Sequence, residues 1–194
     1  MMRLMAALLV LGMAQAQIPA KCATPPEWEG RVSTFDHGKN TEVFSKISYD
    51  SHNKRLRFVD EIDPHRSGQH VYERLVLFNE GVQYLVDVTD RNCTKSPIDP
   101  HFEWHAWGIP DNSTFQGEST IGALDYTITL SSWEMPAYQH PRGWEWHGQF
   151  TTEYCVPVSE VIAYDVADSI TRHFFDLTIG ISDPNAFVPP SNCE

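Results

Sequence analysis

His101, Glu103 and His105 alternate in this chain, with Phe102 and Trp104 between them. Residues two apart on a strand share a face, so the imidazoles and the carboxylate would point one way and the rings the other. Two histidines and one carboxylate form a ligand set for zinc- or iron-type ions. Glu145 and His147 repeat the same Glu-Trp-His string. The bland alternative is a row of solvated histidines with Trp104 and Trp146 buried behind it, because a catalytic metal also needs supporting groups around its ligands. There is no Gly-x-Ser-x-Gly elbow, no His-Glu-x-x-His, no P-loop and no Rossmann string, and these are the usual carriers of hydrolase and nucleotide chemistry. The chain therefore reads as a non-enzyme that requires no cofactor, with a His/Glu metal enzyme as the remote alternative.

Carboxylates are the commonest charged groups. Twenty-six Asp and Glu face fourteen Lys and Arg in 194 residues, a net charge of −12. That excess excludes a nucleic-acid binder, which needs a basic surface to neutralise phosphates. It suits calcium, a hard cation that wants several oxygen ligands brought together. The acidic residues that cluster are Asp60, Glu61 and Asp63, then Asp87 and Asp90, then Asp176 and Asp183. Asp60, Glu61, Asp63, Asp176 and Asp183 are the candidate ligands, although no EF-hand string organises them.

Aromatic residues make up 12% of the chain, with six Trp, seven Tyr and ten Phe. Tyr49, Phe58, Tyr84, Trp104, Trp133, Trp144, Trp146, Phe150 and Phe174 are candidates for the lining of a hydrophobic pocket. An ordinary packed core has the same composition, so residue type alone does not separate the two.

The elements that must position these groups read as strands. Apolar and polar residues alternate over Val43–Tyr49, Val82–Val88, Tyr126–Ser131, Trp144–Tyr154 and Val158–Val166, the period of a half-buried strand. Val71–Phe78 is apolar on both faces near its end, as a central strand would be. Asp36–Asn40, Asp50–Asn53 and Asn79–Gly81 supply hairpin turns. Helical signal is weak: Asp183-Pro184 would cap one short turn, and Phe174–Ile179 reads better as strand than as helix. About ten short strands with hairpin turns predict an all-β, mainly antiparallel sandwich or barrel.

Met1–Ala16 has the three parts of an export signal: Arg3, an apolar run from Leu4 to Met13, and the small-x-small site Ala14-Gln15-Ala16. Residues 17–194 then form one domain, without a transmembrane segment, and the destination is extracellular, with the lysosomal lumen as the other one that export allows. In an oxidising compartment Cys22, Cys93, Cys155 and Cys193 are expected to form two disulfides, and spacing leaves all three pairings open. Asn92-Cys93-Thr94 and Asn112-Ser113-Thr114 are glycosylation sequons, Asn112 the better placed because Asn92 abuts a cysteine.

Several strings together resemble the ependymin-related family. They are Cys22-Ala23-Thr24-Pro25-Pro26-Glu27-Trp28-Glu29-Gly30-Arg31; Ser48-Tyr49-Asp50 with Asn53, Arg55, Arg57 and Asp60-Glu61; Ile109 to Phe115; Tyr154-Cys155-Val156-Pro157-Val158; and Thr171 to Asp176 with Gly180 to Pro184 and Phe187 to Cys193. They occur in order over the whole chain after the export signal. The resemblance implies a fold like that of bacterial lipoprotein carriers, a curved two-sheet sandwich or half-barrel around a deep hydrophobic pocket. It implies Cys22–Cys155 and Cys93–Cys193 pairing and a homodimer. It implies binding of hydrophobic molecules such as fatty acids or gangliosides, and of calcium, so the expected occupant is a fatty acid, lysolipid or ganglioside-like lipid. The competing reading is a calcium-dependent matrix or cell-adhesion glycoprotein that contacts collagen. The third bridge of some vertebrate members is missing, and Asp99–Trp107 and Met135–Glu145 depart from the family pattern.

Overall fold

The computed structural model describes residues 18–62, 70–100, 102–123, 125–140, 142–165, 167–191 and 193. Met1–Ala16, expected to be an export signal, together with Asp63 and His101, lie outside the described residues. The alternating runs form eleven strands: β1 (Glu27–Asp36), β2 (Thr41–Asp50), β3 (Arg55–Ile62), β4 (His70–Leu77), β5 (Val82–Asp87), β6 (Asn92–Pro97), β7 (Thr114–Ala123), β8 (Tyr126–Met135), β9 (Glu145–Thr151), β10 (Pro157–Ala163) and β11 (Ser169–Ile179). The only helical piece among the described residues is a 3-10 turn, Ala137–Gln139. The all-β antiparallel class expected from the period-two pattern is the class observed.

The strands join in one open sheet, ordered β6-β5-β4-β3-β2-β1-β11-β10-β9-β8-β7. Each strand pairs with its neighbour in sequence except β6 and β7, and the first pairs with the last. The chain thus runs outward from β1 to one edge, and then from the other edge back to β11. Turns at 37–40, 51–54 and 78–81 make the hairpins expected there.

This order imposes a crossing. β6 and β7 are opposite edges, so residues 98–113 must carry the chain from one to the other. Eleven strands spaced by about 4.8 Å span roughly 48 Å if flat. Sixteen residues reach at most about 55 Å fully extended. The segment is not fully extended, since it turns where Phe102 N–H donates to Asp99 O at 2.8 Å and Ser113 N–H to Pro110 O at 3.0 Å. The sheet therefore curls toward this strap, and the strap covers one of its faces.

Register places the largest apolar side chains on that face. Trp28 lies opposite Tyr49, Tyr49 opposite Leu56, and Leu56 opposite Val76, making one row across β1–β4. Trp28, Val32, Ile47, Tyr49, Leu56, Val76 and Phe174 are buried together, with Ile98, Trp104 and Trp107 of the strap packed on them. Ile109, Trp133, Met135, Trp146, Phe150 and Cys155 make a second cluster at the β8–β9 side. A third lies on the opposite face, where Leu75, Leu77 and Tyr84 meet Ala186 and Phe187 of the C-terminal tail.

Disulfides tie down the pieces outside the sheet. Cys22 joins Cys155, and Cys93 joins Cys193, which are the pairs the family resemblance implies. Two local expectations change. Trp144–Tyr154 is not one strand, because β9 ends at Thr151 and Tyr154 and Cys155 turn in the left-handed region at φ 66° and 53°. That turn aims Cys155 at Cys22 and leaves Tyr154 exposed. Residues 184–187 form a turn rather than helix, closed by Ala186 N–H on Asp183 O at 3.0 Å.

Candidate functional site

The strapped face is built from rings. Trp28 stands 5.4 Å from Tyr49 and 5.3 Å from Trp107 between centroids. Tyr49 stacks on Trp104 at 5.6 Å and meets Trp107 at 5.3 Å. Phe174 presents an edge to Trp107 at 6.0 Å, and Phe78 contacts both Phe102 and Trp104. Offset and edge-on aromatic pairs of this kind contribute about 0.5–1.5 kcal/mol each beyond the area they bury.

Few backbone bonds fix the strap. Trp107 N–H donates to the Tyr49 hydroxyl at 3.1 Å, and Trp107 O accepts from the Thr24 amide at 3.1 Å and the Thr24 hydroxyl at 3.2 Å. Ile109 N–H donates to Cys22 O at 2.9 Å, beside the bridge between Ala23 and Gly108. Gly108 sits at φ 154°, and a Cβ there would come within 2.8 Å of Cys22 O, so only glycine lets the strap approach so closely. Burial raises the pKa of the Tyr49 phenol and the Trp107 amide partly offsets this, so the hydroxyl stays protonated across the physiological range.

The second aromatic cluster holds a buried polar centre. Trp146 Nε1 donates to Glu160 Oε2 at 3.2 Å, and Arg172 Nη1 binds the other carboxylate oxygen. Glu160 and Arg172 are register partners on β10 and β11. The indole of Trp133 is satisfied by the Ser131 hydroxyl at 3.0 Å.

The pocket candidates separate over this framework. Tyr49, Phe58, Trp104 and Phe174 gather in the first cluster, and Trp133, Trp146 and Phe150 in the second, on the same face. Tyr84 lies on the opposite face under the tail. Trp144 stands apart, stacked on His140 at 5.2 Å and edge-on to Tyr164 at 4.6 Å. Trp28 and Trp107, which the residue-type reading passed over, are central. Trp107 follows Trp104 by three residues in a loop, where no regular element marks the two rings as sharing a face.

Open hollows lie elsewhere. One of about 370 Å³ is lined by Phe44, Val59, Val71 and Phe175 with Arg31, Lys46 and Glu61. Another of about 260 Å³ is lined by Gln116, Ser132, Trp133, His147, Gln149 and Ser159.

The calcium candidates are dispersed. Asp60 and Glu61 are consecutive on β3 and so point to opposite faces. Asp60 accepts from Ser45 at 2.6 Å, Asp176 faces Arg31 at 3.7 Å, and Asp183 accepts the Asn185 amide at 2.9 Å. Among the described residues, none of these four belongs to a group of three His, Cys, Asp or Glu side chains with donor atoms within 4.8 Å of one another. Residues 102–106 pair with no strand, because they belong to the strap. Glu103 and His105 lie 4.0 Å apart there and are exposed, with Arg142 at 3.9 Å from Glu103. Asn92 opens β6 and Asn112 sits in the turn before β7, both exposed.

An open, curved antiparallel sheet with one strapped aromatic face defines the structural class. The chain belongs to the ependymin family, whose family model matches residues 66–193. It is 32% identical to mammalian ependymin-related protein 1 of Mus musculus over 186 residues, which is 95% of this chain and 81% of that protein. It is 28% identical to ependymin of Notemigonus crysoleucas over 180 residues, 89% of this chain and 79% of that one. In fold it is similar to an uncharacterized conserved protein from Thermus thermophilus, with a TM-score of 0.52, 10% identity and 88% of each chain covered. No helix among the described residues is long and apolar enough to cross a membrane.

Proposed function

We propose that this chain is a secreted, non-enzymatic ependymin-type protein that takes up a hydrophobic molecule, a fatty acid, lysolipid or ganglioside-like lipid, on the aromatic face. The observation that carries the reading is that this face is covered by a strap whose rings belong to no strand. An acyl chain is apolar like the rings it would replace. Magnitudes support an exchange. Two indoles bury at most about 500 Å² together, roughly 12 kcal/mol at about 25 cal/mol per Å². A sixteen-carbon chain gains roughly 12 kcal/mol at about 0.8 kcal/mol per CH2. The two covers are near balance, so the strap can yield to lipid and return.

The test is native mass spectrometry on protein exported from eukaryotic cells, together with uptake of a fluorescent fatty acid with calcium and with EDTA. One lipid per chain, with uptake strengthened in Trp104→Ala, is the expected result. Protein that carries no lipid and takes up none, in either form, overturns the proposal. The same spectra read the homodimer and the sugars on Asn112 and Asn92.

A further inference from the structure

We infer that Glu134, Glu145 and His147 hold a divalent cation of the zinc class on the face opposite the strap. Among the described residues, these form the one group of three His, Cys, Asp or Glu side chains whose donor atoms all lie within 4.8 Å of one another. The sheet produces the juxtaposition. Glu134 of β8 lies directly across from His147 of β9, and Glu145 precedes His147 by two residues on the same face. His147 Nε2 and Glu145 Oε1 are 2.7 Å apart. Ligands about 2.1 Å from a tetrahedral ion stand roughly 3.4 Å from one another. The His147–Glu145 separation is shorter than that, and all three donors lie within 4.8 Å of one another, so side-chain rotations could bring them round one ion.

Charge points the same way. Two carboxylates flank one imidazole, while Ser132, Gln149 and Ser159 beside them are uncharged. A cation relieves the repulsion that the pair of carboxylates creates. The donor set selects the ion. One imidazole with two carboxylates suits zinc-type metals, whereas calcium takes oxygen ligands only. Three protein ligands leave a coordination position open, and His147 also borders the hollow of about 260 Å³. There Gln149 donates through Nε2 to the Ser132 hydroxyl at 3.2 Å and accepts the Ser159 hydroxyl at 3.0 Å on its oxygen, fixing a polar wall. A small anionic or hydroxyl-bearing ligand on the metal would meet this wall. The site is on the far side of the sheet from the lipid face, so either proposal can fail without the other.

Calorimetric titration of tag-free protein with zinc chloride tests it. One zinc per chain is expected, with calcium failing to compete. His147→Ala and Glu134→Gln are each expected to weaken binding at least tenfold while melting normally without metal, since both side chains are only half-buried. His105→Ala, in the exposed strap, is expected to bind as the parent does. Cobalt in place of zinc is expected to give the visible bands of a four-coordinate site. Binding that never saturates, equal affinity in the His147→Ala protein, or loss on His105→Ala overturns the assignment.

Discussion

The ring of Tyr49, on β2, lies parallel to that of Trp104, in the strap, with 5.6 Å between centroids and 10° between planes. This stack is one of the contacts that pin the connection between the two sheet edges to the sheet it crosses. Trp104→Ala removes it together with the contact to Phe78. The expected loss is about 2 kcal/mol in urea denaturation, less than for a fully buried ring because Trp104 is only partly buried. Hydrogen exchange should quicken over 98–113 and hardly change in β9–β11.

Gly148 sits beneath Trp146, its neighbour but one on β9. A Cβ at 148 would meet two carbons of the Trp146 ring at 2.3 Å and Phe150 at 3.0 Å. Gly148→Ala must therefore tip the indole and break its bond to Glu160. Overpacking of this kind costs about 1–3 kcal/mol. A melting temperature equal to the parent's would show that the face is looser than described.

Asp50 is 0% exposed at the β2–β3 turn. Burial works to raise its pKa, but the side-chain and backbone N–H groups of Asn53 and the Arg55 guanidinium outweigh it, and the carboxyl lies below its ordinary range. Unfolded, the group titrates at about 3.9. A depressed folded pKa gives stability that is whole above the unfolded value and is lost as pH falls through the folded one. Glu29 behaves alike: burial raises its pKa, and the Ser182 and Ser48 hydrogen bonds pull it below the usual value. Stability should hold steady above pH about 5 and fall steeply below about 4. Asp50→Asn is expected to cost about 3 kcal/mol at pH 7 and to flatten that acid limb.

The Cys22–Cys155 bridge closes a loop of sequence separation 133 and holds the segment that bonds Gly108 and Ile109. Chain entropy assigns such a loop about 5 kcal/mol. The double Ser variant should lose stability of that order, and protease should cut first within 98–113. Equal protection of the strap in both proteins would mean that ring contacts alone hold it.

Much of the fold was legible because hairpins are local. The alternation at Val43–Tyr49 and Tyr126–Ser131 and the turn residues at 36–40 and 79–81 mark strands without knowledge of their partners. The site was legible in part. Tyr49, Trp104 and Phe174 carry their aromatic chemistry in their names, but Tyr84 and Trp144 carry the same chemistry and lie elsewhere. Residue type reports what a side chain can bury, and it is silent on which face of the sheet receives it.

The amino-acid order alone determined the all-β class, the turns, the acidic balance and the four cysteines, because each follows from the backbone period, from one residue's conformational preference or from counting. Only the tertiary structure decided that β1 pairs with β11. That single non-local pairing puts β6 and β7 at opposite edges and forces 98–113 across the rings of Trp28, Tyr49 and Phe174. It likewise took the register of β8 on β9 to set Glu134 against His147. A strand's side-chain pattern is the same whichever strand it pairs with, so the partner is chosen by the sum of contacts over the whole sheet.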